Sequence, residues 1–570
     1  MTCIAYSPMR RTALLALLSI FLAAPALAER LFVHHVNGYT LDGQGRLRRF
    51  DALLVDAAGK VIATGSEAAL APRAGQARVI DGHGRTLLPG LIDAHGHVLG
   101  LGLARTEVDL GATHSLAEAQ ARVKRYAAEH PQAPWILGGG WNQENWRLGR
   151  FPTAQELDAA VADRPVWLSR IDGHAGWANG AAMRAAGIDR HTPDPAGGHI
   201  ERDAQGNPTG VFVDAATALI AAKVPAPTPA QLAAALDSAL AELASVGLTG
   251  VGDAGIDLAT YRLYRQYADA GRLSVRIDAM IHGTGADFDA IAADGPLVGY
   301  ADDRLNVRTV KLFADGALGS RGAALLEPYA DDPGNRGLLF IAPADLVAMM
   351  GKAFDRGYQV AVHAIGDRAN REVLDAYAAA YRTHPQASAL RNRIEHAQIV
   401  TAADRPRFVD LGLIASMQPT HATSDMHMAE LRLGPARLAE AYAWRSFLQQ
   451  GTRIAGGSDF PVESPNPFFG LHAAVTRQDH QGQPPGGWLP EQRMTLVEAL
   501  RAFTLDAAYA AHDEAVRGTL EPGKWADFIL VDRDLFAIPA SALWQTRVLE
   551  TWLGGRRVYA APADTQTPAH

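Results

Sequence analysis

Cysteine is nearly absent: the 570-residue chain holds one, Cys3. A lone thiol cannot form an internal disulfide, and it rules out a multi-cysteine metal centre. A bound metal must therefore be held by His, Asp, Glu or a modified Lys. An excess of base is absent too. Lys and Arg number 53 against 61 Asp and Glu, for a net charge of −8. A nucleic-acid partner needs a basic face to neutralise its phosphates, and none is on offer. Long apolar runs are equally scarce. The run at 12–23 follows Arg10-Arg11 and leads into Ala24-Pro25-Ala26-Leu27-Ala28. A charged start, an apolar middle and an A-x-A end read as a secretory signal peptide over residues 1–28, cut after Ala28. The run is shorter than the ~20 residues a membrane span needs, which disfavours an anchor. Cys3 lies inside this segment, so the expected mature chain has no thiol and a periplasmic or secreted destination. The two arginines do not decide between the general and the twin-arginine export routes. No low-complexity segment, solenoid-period repeat or later transmembrane run follows.

What is present suits a large soluble protein. With 48% hydrophobic residues, the chain can bury one big core plus accessory modules. Residues 31–36, 52–56 and 61–64 read as short β-strands between turn-rich pieces. Near the other end, Gly518-Thr519-Leu520-Glu521-Pro522-Gly523-Lys524 leads into an apolar strand at 527–532, and a last strand pair flanks Gly554-Gly555-Arg556. These ends predict one small β-sandwich module, 29–85 plus 515–562. Between them, apolar strands alternate with Ala/Leu-rich helical runs such as 229–245, 343–356 and 371–383. The strands are expected at 87–94, 248–253, 275–280, 307–313, 359–362, 393–395, 413–417 and 454–457. Eight such units over 86–514 predict an α/β fold, a closed (β/α)₈ TIM-like barrel, with a doubly wound sheet as the alternative. The gap between the first two strands far exceeds a usual crossover, so about 100–225 is expected to be an insertion over the barrel mouth.

The most pointed motif is Pro89-Gly90-Leu91-Ile92-Asp93-Ala94-His95-Gly96-His97. Residues i and i+2 of a strand share a side, so His95 and His97 can converge just past the strand end. Imidazole is a common neutral ligand for divalent metals. Alone, the pair is also compatible with ordinary core or surface histidines. Further polar residues fall where other strands end: Lys311, His363, His396 and Asp459. Barrel active sites are built at those ends, so the joint pattern points to one metal-bearing centre. Glu395 is expected to point away from His396 along its strand and is not counted in the site. Asp459 has helix N-capping as its ordinary alternative. Around the centre, His174 is a candidate to hydrogen-bond a carbonyl or an oxyanion, with packing inside the insertion as its alternative. Trp141, Trp146, Trp177 and Phe460 are weak candidates to line an apolar cleft, against core packing. Gln418, His421 and Arg321 are weak candidates for substrate contact.

The chain resembles the amidohydrolase superfamily, specifically the amidohydrolase-3 (YtcJ-like) family of metal-dependent hydrolases. PGLIDAHGH, DGHAGWAN from Asp172, GGHIERDAQGNPTGVF from Gly197 and VKLFADGALGSRGAAL from Val310 carry the resemblance. So do VHAIGDRAN from Val362, RIEHAQ from Arg393, ASMQPTH from Ala415, GSDFPVE from Gly457 and GTLEPGKWADFIL from Gly518. The resemblance implies a first metal on His95, His97, Lys311 and Asp459, and a second on His363 and His396. It also implies that Lys311 is carboxylated by CO₂ and bridges two ions; an unmodified Lys311 fits a single ion. The reaction then expected is cleavage of a C–N bond in an amide, N-acyl or N-formyl compound by metal-activated hydroxide. Asp459 is the general base and then the general acid. An ester, lactone or phosphoester hydrolase on the same barrel is the alternative, followed by a non-catalytic metal- or ligand-binding protein. Zinc suits histidine plus carboxylate best, though iron, manganese, cobalt and nickel accept the same set. The expected partner is a small-molecule amide-type substrate, with a homodimer as the assembly to look for.

Overall fold

A computed structural model describes residues 29–562. The expected signal peptide, with Cys3, lies outside the described residues. The centre of the chain is a parallel sheet of eight strands in sequence order: β1 (Leu91–Gly96), β2 (Leu248–Ile256), β3 (Arg276–His282), β4 (Leu305–Phe313), β5 (Gln359–Ala364), β6 (Arg393–His396), β7 (Ile414–Met417) and β8 (Ile454–Gly456). Apart from isolated positions in β2, β3 and β4, their residues are buried, as expected for strands covered on both faces. Helices return the chain between strands. Pro229–Ser245 starts on a capping box made by Thr228 and Gln231. The helix expected from 371 begins earlier, at Asp367–Thr383, because Gly366 takes an extended N-cap conformation.

The barrel closes without a ladder between β8 and β1. Asp93 bridges the seam instead. Its Oδ1 accepts the His95 and Ser458 amides, each at 3.0 Å, and its Oδ2 accepts the Ser458 hydroxyl at 2.6 Å. The Asp459 amide then donates to the His95 carbonyl at 2.7 Å. One buried carboxylate thus ties the two strand ends whose next residues carry the chemistry.

The single strand expected at 87–94 is two strands. Thr86–Pro89 belongs to a terminal sheet, parallel to Asn37–Leu41 and antiparallel to Phe528–Val531. The break falls at Gly90, where a Cβ would lie 2.2 Å from Thr249 Oγ1, so only glycine lets the chain pass into the barrel. Of the two terminal sheets, one is built from strands within 31–81 and the other combines strands from both chain ends. One is four-stranded and the other six-stranded, and they share a core that includes Val33, Leu53, Leu87, Phe528 and Trp552. Between β1 and β2, a further six-stranded sheet runs from Val108–Asp109 to Pro208–Asp214 around its own core. No helix among the described residues is long and apolar enough to cross a membrane.

Candidate active site

The site grows from the C-terminal ends of five barrel strands. His95 ends β1 almost fully buried, with Nδ1 2.5 Å from Glu395 Oε2. That bond leaves Nε2 to face Asp459 Oδ1 at 3.6 Å. His97 reaches the same oxygen through Nε2 at 3.1 Å, with about a third of its side chain exposed to the cleft. Gly96 between them admits the Phe460 ring, which a Cβ would meet at 2.3 Å.

Lys311 projects from β4 with no exposure, and its Nζ has no hydrogen-bond partner among the described residues. Burial lowers its pKa to about 8, even though the carboxylates of Glu395 and Asp459 pull the other way. His363, on β5, turns Nε2 toward Asp315 Oδ1 at 3.5 Å and the Gly316 carbonyl at 3.4 Å, which leaves Nδ1 for the centre. His396 ends β6, and its Nδ1 lies 2.8 Å from Gln418 Oε1. The ring centroids of His95 and His396 are 4.8 Å apart, and those of His363 and His396 are 4.6 Å apart. Residues separated by some 300 positions therefore share one cluster.

Asp459 stands at its middle, in the left-handed region at φ 61°. Short polar side chains tolerate that region best, and such backbone often marks functional positions. The carboxylate shows two faces: Oδ1 to His95 and His97, and Oδ2 to His421 Nε2 at 3.6 Å. Burial opposes its charge. The hydrogen bond with His97 and the nearby His95 and His396 outweigh burial and hold its pKa well below the usual carboxylate range. His95 itself is pushed down to about 4 by burial and then by the Lys311 charge.

Two residue groups meet a geometric requirement for a metal: His95, His97 and Asp459, and His396, His421 and Asp459, with the ligand atoms of each group within 4.8 Å of one another. Ligands 2.0–2.1 Å from a tetrahedral ion stand about 3.3 Å apart, and the separations of 3.1 to 3.6 Å around Asp459 bracket that edge. The carboxylate and amide partners behind His95 and His396 orient each ring toward the centre, as metal-ligating histidines require.

Glu395 corrects the sequence reading. It points inward and is fully buried, paired with Arg393 at 2.7 Å and with His95. The signal was available: Arg393 and Glu395 are two apart, as are His95 and His97, and so share a strand face. What strand alternation alone misses is His396, whose φ of 70° swings it into the same interior as its neighbour. Asp93 and Asp315 are further buried carboxylates at the site that the sequence pattern does not single out. Asp315 accepts the amides of Ala324, Ile365 and Gly366 and sits behind His363.

The insertion supplies His174, whose ring centroid lies 5.1 Å from that of His363. Its Nδ1 is 2.8 Å from Asp214 Oδ1. Burial pulls the His174 pKa down, but the hydrogen bond and charge of Asp214 more than offset it and leave it raised. Asp214 is seated where Gly316 and Gly322 lack side chains; a Cβ on either would come within 2.5 Å of its carboxylate.

Several weak substrate candidates occupy other roles. Trp141 and Trp177 are wholly buried in the insertion core with Trp146, their indoles donating to the Leu168 and Thr153 carbonyls at 2.8 Å. Phe460 is buried beneath Gly96 rather than lining the cleft. Gln418 orients His396. Arg321 is engaged by Asp331 at 2.8 Å, in an ion-pair chain that runs through Arg432 to Glu144 of the insertion. His421 faces Asp459.

Comparison with known proteins agrees with this arrangement. A model of the amidohydrolase family matches residues 78–559. The chain is 33% identical over 533 residues to YtcJ of Bacillus subtilis, covering 91% of this chain and 98% of that protein. It is 30% identical over 546 residues to the N-substituted formamide deformylase of Arthrobacter pascens, covering 92% and 97%. A crystal structure of an uncharacterized metal-dependent hydrolase from Pyrococcus horikoshii superposes with a TM-score of 0.73 at 27% identity, covering 90% of this chain and 99% of that one. With the strand-end histidines gathered around Asp459, a family match over most of the chain and a shared barrel, the chain belongs to the amidohydrolase family of metal-dependent hydrolases.

Proposed function

We propose that this protein hydrolyses a C–N bond of a small amide, N-acyl or N-formyl compound outside the cytoplasm, with Zn²⁺ as its metal. The observation that carries the reading is Asp459. It is a charged carboxylate with one oxygen against His95 and His97 and the other facing His421. His95, His97, His363, His396 and Asp459 would hold the metal. Lys311 joins them once its neutral amine has added to CO₂ and lost a proton, becoming a carbamate. The lowered pKa and the unpartnered Nζ favour that modification. A divalent ion here supplies the acidity that makes water a nucleophile near neutral pH and polarises a carbonyl. Asp459 orients the attacking water, takes its proton, and returns that proton to the departing nitrogen. His174, held by Asp214, offers Nε2 to the carbonyl oxygen as negative charge builds on it. The likeness to a formamide deformylase favours a small acyl group. The segment 1–28 is the export signal in this reading.

A panel of N-alkyl formamides, N-alkyl acetamides and the matching esters tests it. Amide turnover should disappear with 1,10-phenanthroline and return on adding Zn²⁺. Ester turnover with no amide turnover at any pH would transfer the assignment to the ester-hydrolase alternative.

The dyad gives a separate expectation. Asp214→Ala frees the His174 ring, and kcat should fall toward the roughly 10²- to 10³-fold loss that removing an oxyanion-stabilising donor causes, with metal content unchanged. His174→Ala should cost at least as much. The double variant should cost no more than His174→Ala alone, because the two residues act as one unit. Independent, additive losses in steady-state kinetics would show that Asp214 acts apart from His174.

A further inference from the structure

We propose that His421 is a metal ligand of this site, closing an ion position with His396 and Asp459 that differs from the pairing of His396 with His363 implied by the family pattern. The inference rests on the metal-dependent reading of the centre but not on which bond is cleaved.

Three observations meet at this residue. First, His421 Nε2 is shielded from solvent and has no hydrogen-bond partner among the described residues. A buried imidazole nitrogen without a partner is costly, and a cation beside it removes the cost. Lys311 Nζ, in the same centre, has the same orphaned status. Second, Nε2 stands 3.6 Å from Asp459 Oδ2, too far for a good hydrogen bond but close to the separation of two ligands on one tetrahedral ion. His396, His421 and Asp459 bring one ligand atom each within 4.8 Å of the others, and among the described residues His363 belongs to no such group of His, Asp and Glu. Third, the loop after β7 serves both imidazoles. Gln418 fixes His396 through Nδ1, so its Nε2 is the nitrogen free for a metal. The His421 amide donates to the Gln418 carbonyl at 3.2 Å, locking the first turn of the helix Pro419–Leu433 that carries the ring. Asp459 then serves as a shared wall, with Oδ1 toward the His95–His97 side and Oδ2 toward the His396–His421 side.

The test reads metal rather than turnover. Parent, His421→Ala, His421→Gln and His363→Ala proteins are stripped and titrated with Zn²⁺ against a chromophoric chelator. They are then reloaded with Co²⁺ for visible absorption, and circular dichroism reports folding. Whether the parent binds one ion or two, both His421 variants should lose at least about tenfold in affinity at one site and show an altered Co²⁺ d–d spectrum. Alanine suits the first turn of a helix, and glutamine retains size and polarity, so at least one variant should fold. Parent-like stoichiometry, affinity and Co²⁺ spectrum in a folded His421 variant overturns the inference. Metal loss confined to His363→Ala does the same. Neither result depends on the amide panel, so an error in the substrate class leaves this measurement standing.

Discussion

Asp459→Asn should lower kcat by about 10²- to 10⁴-fold, the range general acid–base catalysis supplies, while the fold and most of the metal remain. The amide preserves the volume and the left-handed backbone that asparagine, like aspartate, tolerates. It cannot take the proton of an attacking water, nor hand one to a departing nitrogen. The backbone bond from residue 459 to the His95 carbonyl is untouched by the substitution, so the barrel seam should hold. The check is kcat at saturating substrate and metal, with elemental analysis and circular dichroism on the same preparations. Turnover within tenfold of the parent, at equal metal content, would remove Asp459 from the proton-transfer role.

Glu395→Ala should be the most damaging single change to the fold near the site. The carboxylate accepts from Arg393 Nε at 2.7 Å and Nη2 at 2.9 Å while it holds His95. Arg393 is itself buried, with further bonds to the Ala94 carbonyl and the Ser416 hydroxyl. Burial alone would raise the Glu395 pKa, but Arg393 and His95 reverse that and keep it charged. Deleting the acid strands a guanidinium in the barrel interior, and breaking a buried pair in this way costs about 3–5 kcal/mol. His95 also loses the partner that sets its tautomer, which should weaken metal binding about 10- to 100-fold. Urea unfolding of the metal-free protein isolates the first effect, and chelator competition reads the second. A stability loss below about 1 kcal/mol would mean that Arg393 finds another partner and that the interior pair is dispensable.

Much of the centre is legible residue by residue. His95 and His97 follow an apolar strand at the spacing that puts them on one side, and the other ligand types recur where later strands end. Such features are local: three consecutive strand residues already put two side chains on one face. Strand alternation misplaces Glu395 because it lapses at His396, where the backbone turns left-handed. The tryptophans were ambiguous for a different reason. An indole suits a core and a cleft equally, and only the packing of the insertion's own sheet assigns Trp141 and Trp177 to its interior. Leu87 reads as part of the barrel strand because nothing in an apolar run shows that Pro89-Gly90 passes from one sheet to another.

From composition, periodicity and motif order alone, this chain specifies a barrel with appended β-structure and the side chains that meet at its mouth. Folding in three dimensions decided which atoms meet. The two oxygens of Asp459 are divided between different histidines, Glu395 sits behind His95, and Asp214 reaches from the insertion to hold His174. The difference is one of range. Strand and helix periodicity arise from neighbours along the chain, whereas the direction of a ligand's free nitrogen is set by a hydrogen-bond partner that is, for His95, three hundred residues away.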